Sequence, residues 1–472
     1  MDAKAPATRE TLACGERAGA AHGVSLSEAT RVWARVAALS FGGPAGQIAV
    51  MHRIIVEEKK WIGEQRFLQA LNYCTLLPGP EAQQLATYIG WLMHRTAGGL
   101  IAGTLFVLPG MLAIMALSWV YVLLGRITVV QGLFFGLKAA VLVIVVEAVL
   151  RVGRRALRGG AMRAIAGTAF VAIFFYGVPF PAIIVAAGLV GYAGARFGWA
   201  PFLRAGTHGS GGISLSDAES LLGEATPSHA RPNPRWSLLI GGVFLALWFV
   251  PVAAIRLVLG PDDAFTQIAV FFSKMAVVTF GGAYAVLAYV AQQAVDNYGW
   301  VTAGEMLDGL GMAESTPGPL IMVTQFVGFL GAYRDAGGMQ PLLAGTLGGL
   351  LTTWVTFVPC FFWIFVGAPY VEALRSSKAL SGALAAITAA VVGVILNLAV
   401  WFGLQVLFGE LRPVRLLGAT FDMPVPGSAN VAAVALAGAC AVAAFRFRFG
   451  MVTILSASSF AGIVLALALG TP

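Results

Sequence analysis

The chain has 472 residues, 58% of them hydrophobic and only 11% charged, whereas soluble domains carry roughly 25% charged residues. That deficit excludes a water-soluble domain, and with it secreted and cytosolic enzymes; the chain reads as an all-α polytopic membrane protein. Its net charge of +8 belongs, in such a protein, on cytoplasmic loops, so it marks topology rather than a nucleic-acid partner.

Residues 1–28 are polar, with Lys4, Arg9 and Arg17 but no apolar core ahead of a small-residue cleavage site. No cleavable signal is expected, and this tail is assigned to the cytoplasm. Thirteen apolar runs follow between about residues 31 and 470. They fall into a first repeat over 29–198, a cytoplasmic linker over 199–236 rich in Gly, Ser and Pro, an extra transmembrane helix over 237–260, and a second repeat over 261–472.

The repeat rests on three ungapped matches at one offset of 239 residues: Phe41-Gly42-Gly43 with Phe280-Gly281-Gly282, Trp61 with Trp300, and Pro78-Gly79-Pro80 with Pro317-Gly318-Pro319. Farther on, Val107-Leu108-Pro109 resembles Phe357-Val358-Pro359, and Gly136 aligns with Gly382 at a shifted offset. Loop charge sets the relative orientation. The connection 52–66 carries Arg53, Lys59, Lys60 and Arg66, while its counterpart 291–305 has no Lys or Arg; the 151–163 loop has five arginines against two, Arg412 and Arg415, in 409–427. The positive-inside rule then predicts an inverted-topology repeat, with the helix at 237–260 reversing the second half.

Breaks at Gly42-Gly43-Pro44 and Pro78-Gly79-Pro80 leave half-helices of about 20 Å, too short for a hydrocarbon core of about 30 Å. The broken segments are therefore expected to be re-entrant or deeply kinked, which keeps the basic 52–66 loop inside. Irregular backbone at membrane depth is tolerated only where it is buried or lines a cavity, and free N–H groups at the start of each new half-helix attract anions. Gly42, Gly43, Pro44, Gln47, Pro78, Gly79, Pro80 and Gln84, with Gly281, Gly282, Pro317, Gly318 and Pro319 in the second repeat, are thus the candidate substrate-binding residues. The bland alternative is a set of kinks that serve helix packing.

Charged groups inside apolar runs are functional candidates by default. Glu81 follows the first Pro-Gly-Pro and Glu314 precedes the second; each is a candidate coupling or gating carboxylate, with helix capping the alternative for Glu81. Arg35 and Lys274 share the 239 offset and read either as cations flanking two entrances or as side chains snorkelling to the interface. Lys138 lies well inside an apolar run and requires a partner anion, either a carboxylate or the substrate. Glu147, nine residues on, projects from the opposite helix face. No phosphate-binding GxxxxGK[ST], HExxH or spaced Cys/His cluster occurs, and Cys14, Cys74, Cys360 and Cys440 are isolated. A nucleotide-driven pump, a membrane enzyme and a cofactor are therefore not expected.

Phe41-Gly42-Gly43-Pro44, the run from Leu71 to Trp91 with its core Pro78-Gly79-Pro80-Glu81-Ala82-Gln83-Gln84-Leu85, and Phe106-Val107-Leu108-Pro109-Gly110 closely resemble the chromate ion transporter family in its long, two-domain form. The resemblance covers nearly the whole chain. It implies an inner-membrane exporter of chromate that confers resistance and can handle the isosteric sulfate. Composition and charge add the lipid bilayer as a partner and leave out nucleic acid; a homodimer is compatible with the sequence, which does not fix the oligomeric state. A proton-coupled importer of sulfate or another oxyanion is the alternative. The second half departs from the motif, with Ala283, Val286, Leu320 and Val323 standing where the first has Pro44, Gln47, Glu81 and Gln84, which places more of the expected site in the first half.

Overall fold

The computed structural model describes residues 22–199, 202, 216–223, 227–280, 282–370, 378–416 and 418–470. Helix α1 (Leu26–Leu39) is capped by Ser25, whose hydroxyl accepts the Glu28 N–H at 3.1 Å. It stops at Ser40, and α2 (Gly43–His52) begins with Pro44 in its first turn, where a missing N–H is not needed. A π-helical turn, Arg53–Glu58, prolongs α2. Helix α3 (Glu64–Cys74) leads to the Pro78-Gly79-Pro80 loop, and α4 (Glu81–Leu124) leaves it. Non-helical backbone at His94 and Arg95 divides α4 into α4a, residues 81–93, and α4b, residues 96–124. Then come α5 (Thr128–Ala156), α6 (Gly160–Tyr176), α7 (Phe180–Arg196) and, past the linker, α8 (Pro234–Leu259).

The same series recurs. Helices α9 (Ala264–Val278) and α10 (Ala283–Ala291) flank a break, and α10 also winds into a π turn, Gln292–Asn297, at the same 239-residue offset from the first. Helices α11 (Ala303–Ser315) and α12 (Val323–Arg334) flank the second Pro-Gly-Pro. They are followed by α13 (Pro341–Gly367), α14 (Lys378–Leu407), α15 (Val431–Phe445) and α16 (Met451–Leu469). Between α14 and α15 the stretch read as a loop forms an antiparallel hairpin, β1 (Leu411–Leu416) and β2 (Ala419–Pro424), registered from Leu411 opposite Pro424 to Leu416 opposite Ala419. Phe421 of β2 rests on Phe174 and Phe175 of α6, aromatic contacts that a charge-based reading does not register.

Each piece of the broken segments, π turns included, has at most 16 residues, about 24 Å at 1.5 Å per residue. All four segments turn back on themselves. Lys59, beyond the first π turn, lies 3.5 Å from Glu28 at the start of α1, so that segment leaves at the end where it entered. The described parts of the linker touch both the start of α3 and the end of α4a: Leu221 and Leu222 donate to the carbonyls of Lys60 and Trp61 at 2.9 and 3.0 Å, and His229 Nε2 lies 2.9 Å from the Trp91 carbonyl. Far from hanging free, this part of the linker caps α3, since Asp217 Oδ1 accepts the Arg66 N–H at 3.3 Å. In the second series, Arg334 at the end of α12 donates to the Trp300 carbonyl and pairs with Glu305 at the start of α11, both at 2.5 Å.

The hairpins form the core. Trp33, Trp61, Trp91, Phe272, Phe326 and Phe329 are among the largest fully buried side chains. Longer helices surround them. Among the described residues, six helices are long and apolar enough to cross a membrane: α4, α5, α8, α13, α14 and α16. Helix α8 carries exposed Leu238, Leu257 and Val258, as a lipid-facing helix does. The two series interlock. On α5, Gly132 and Gly136 lie directly against Gly462 and Ser458 of α16, while Gly382 of α14 lies against Gly191 and Ala195 of α7, the small-residue packing that lets backbones approach in lipid.

Candidate functional site

The four breaks meet at the centre. The Gly79 N–H donates to the Thr279 carbonyl at 2.8 Å, and the Gly318 N–H to the Ser40 carbonyl at 2.9 Å. These bonds are counterparts, since Ser40 and Thr279, like Gly79 and Gly318, stand 239 residues apart. Each Pro-Gly-Pro loop is thus anchored on the other series' first break. The asymmetry noted in the sequence is visible here. Gln47 Nε2 donates to the Gly318 carbonyl at 2.5 Å, a bond its counterpart Val286 is unable to make. Gln84 Nε2 donates to the Pro78 carbonyl at 2.8 Å, holding its own loop closed.

Where the loops converge there is a cavity of about 10 Å³, room for about one water and too small for a tetrahedral oxyanion. It is lined by Pro44 and Gln47 of α2, Pro80, Glu81 and Ala82 at the start of α4a, Gly282 and Ala283 at the start of α10, and Pro319, Leu320 and Ile321 leading into α12. Four helical segments therefore begin at one point. At roughly +0.5 charge per helix N-terminus, their dipoles sum to about +2, the complement of a dianion.

Of the residues singled out in the sequence, Pro44, Gln47, Pro80, Glu81, Gly282 and Pro319 line this cavity. Gly42 and Gly43 form the turn into α2, and Pro78, Gly79, Pro317 and Gly318 form the interlocked loops. Gly281 lies outside the described residues. Glu314 is buried, accepts the Tyr284 hydroxyl on Oε1, and has no hydrogen-bond partner among the described residues on Oε2, which lies 4.0 Å from where a Cβ on Gly43 would sit. It thus faces the first break from the second series.

Three expected residues lie elsewhere. Arg35 pairs with Glu58 at 2.7 Å on the surface. Lys274 is exposed and has no ion-pair partner among the described residues. Neither lines the central cavity. Lys138 faces a second, open cavity of about 640 Å³ at the far end of α4b, and its partner is Asp308, with Nζ 3.3 Å from Oδ1.

Sequence reasoning missed Asp308 and Tyr284. An aspartate inside the apolar run of α11 was a signal in its own right. Its counterpart in the first half is Gln69, so the repeat does not point to it. Tyr284 had no such signal, because one hydroxyl in an apolar segment is ordinarily helix-packing glue.

Two stretches of the chain, residues 27–192 and 266–464, match the family described as Chromate transporter; they coincide with the two helical series and leave out the linker and α8. The chain is 32% identical over 361 residues to the "Chromate transport protein" of Pseudomonas aeruginosa, covering 76% of each. It is 28% identical over 373 residues to the "Chromate transport protein" of Cupriavidus metallidurans, covering 79% of this chain and 81% of that one. To the "Probable chromate transport protein" of Synechococcus elongatus it is 28% identical over 381 residues, covering 81% and 85%. No solved structure matches it. An all-α membrane protein whose two homologous series and motif-bearing breaks fall inside these matches belongs to the chromate transporter family.

Proposed function

We propose that this chain exports chromate across the inner membrane as a secondary transporter and so confers chromate resistance, with sulfate as a competing tetrahedral dianion. One observation carries the reading: four broken segments, two from each series, present helix N-termini to a single central cavity, the arrangement expected of a transporter that binds an anion near the midplane. The hairpin ends of the first series lie at the start of α4b and those of the second at its far end, where Arg126 shares a cavity with Glu305 and Arg334. This supports two inverted repeats, with the N-terminal tail and linker in the cytoplasm and the acidic loop containing Asp296 outside.

The cavity is closed around roughly one water, so loading requires the two hairpin pairs to move apart. Alternating access then amounts to opening first toward the basic 52–66 loop and then toward Arg126. The available driving forces are the membrane potential, sufficient alone, and a proton gradient, which antiport would add to it. A dianion leaving an inside-negative cell gains about 4.6 kcal/mol per 100 mV, and about 2.3 if a proton accompanies it; the first figure corresponds to roughly a thousandfold gradient or more.

Radiolabelled chromate accumulation in everted membrane vesicles, with potential and pH gradient set separately by ionophores, tests this. Accumulation that follows the potential and is reduced by sulfate is expected. Oxyanion uptake found only in right-side-out vesicles under an inward proton gradient would identify an importer instead.

A further inference from the structure

We propose that Lys138 and Asp308 form a release site for the oxyanion at the base of the open cavity, where Asp308 recaptures Lys138 and thereby displaces the departing anion. The proposal rests on the export reading above and adds to it a second anion site, remote from the breaks. The cavity, about 640 Å³, has ample room for an oxyanion with its water. Its charges are graded in depth. Arg126 is exposed at the mouth, Arg334 is paired with Glu305 and 40% exposed, Lys138 is 28% exposed, and the Asp308 side chain is only 5% exposed beneath it.

Cations of decreasing exposure would attract an anion, but the deepest of them already has a resident counter-ion. That counter-ion is held on one side only. The Tyr121 hydroxyl donates to Asp308 Oδ2 at 3.0 Å, which fixes the carboxylate, whereas Oδ1, 3.3 Å from Lys138 Nζ, has no aligned hydrogen bond among the described residues. Gly304, one turn before Asp308 on α11, leaves the ammonium room to move, since a Cβ there would lie 3.5 Å from Nζ. Lys138 therefore has two reachable partners, the fixed carboxylate and whatever anion enters from the cavity. Because the carboxylate is tethered and always present, it competes at a high effective concentration, which keeps anion affinity low on the release side. No covalent step is involved. The groups facing Asp308 are Tyr121 on α4b, Lys138 on α5 and, farther along the cavity wall, Glu305 and Arg334 held to each other.

The test uses everted vesicles preloaded with unlabelled chromate, measuring the lumenal concentration that halves uptake of labelled chromate. Asp308→Asn is expected to lower that concentration tenfold or more, because Lys138 then retains the anion. Lys138→Met should raise it, and the double variant should behave like Lys138→Met. An Asp308→Asn variant that transports with the half-inhibiting concentration within twofold of wild type overturns the release site while leaving export intact. So does a double variant restored to wild type, the mark of a purely structural ion pair. Should Asp308→Asn fail to fold, acidifying the lumen of wild-type vesicles is expected to strengthen chromate inhibition by neutralising Asp308, and not to do so in Lys138→Met; an unchanged half-inhibiting concentration overturns the site. Absence of wild-type uptake overturns both this site and export.

Discussion

Gly318→Ala is expected to abolish transport and to reduce the yield of folded protein, whereas Gly79→Ala, at the equivalent position of the other loop, is expected to retain measurable transport. Both glycines have positive φ, +111° at Gly318 and +125° at Gly79, a region that costs a side chain about 1–3 kcal/mol. Their surroundings differ. A Cβ on Gly318 would lie 2.8 Å from the Cα and 3.0 Å from the N of Gly110, backbone atoms of α4b that have nowhere to go. A Cβ on Gly79 would meet Gln84 Nε2 at 2.8 Å and Cys360 Sγ at 2.9 Å, side-chain atoms that can shift where backbone cannot, Gln84 by giving up its bond to the Pro78 carbonyl. Overpacking adds about 1–3 kcal/mol, so Gly318→Ala should lose roughly 2–6 kcal/mol and Gly79→Ala should stay near the lower end. Gly318 is also held through both its N–H and its carbonyl, by Ser40 and Gln47, so a shifted loop loses two bonds to the first series. Thermal unfolding of the two purified variants, with vesicle uptake alongside, checks the ranking; equal loss in both would refute the difference between backbone and side-chain neighbours.

Glu81→Gln is expected to remove the pH dependence of oxyanion loading. Glu81 lines the central cavity at the first turn of α4a. An ionised carboxylate about 5 Å from a bound dianion would repel it by several kcal/mol at an effective dielectric of about 20. Occupancy by the anion and neutralisation of Glu81 therefore go together, and loading should weaken up to about tenfold per pH unit as the loading side becomes alkaline. The amide cannot ionise, so the variant should load equally across that range and still respond to potential. Uptake by everted vesicles at fixed potential and varied external pH measures this. A wild-type pH profile retained in Glu81→Gln would remove Glu81 from coupling and leave Glu314, with its unpartnered oxygen facing Gly43, as the carboxylate to examine.

Much of the architecture was legible because membranes restrict what a sequence can do. The charge deficit required a helical membrane protein, and the glycine and proline breaks could be recognised by their spacing alone. The offset that pairs Gly79 with Gly318 also pairs the two π turns and the two inter-loop hydrogen bonds, none of which leaves a compositional trace. What the repeat could not reveal were the places where the halves differ in chemistry. Asp308 and Tyr284 have no counterparts of the same type, and Lys138 found its partner across the series rather than along its own helix. Gln47 and Gln84 lie at the breaks, where each binds a loop carbonyl through its amide N–H, because backbone groups buried there require partners. The hairpin at 411–424 and the docking of the linker on α3 depend on contacts made only after the helices assemble.

We propose that an oxyanion binds where the four breaks converge. Anomalous scattering from chromium in crystals of the protein grown with chromate locates the ion directly. The expected result is a peak between the N-terminal turns of α2, α4a and α10 and the turn into α12, with Gln47 and Glu81 beside it and the cavity enlarged from its present size. A peak confined to the Lys138 cavity, or chromium bound only on the protein surface, would contradict it.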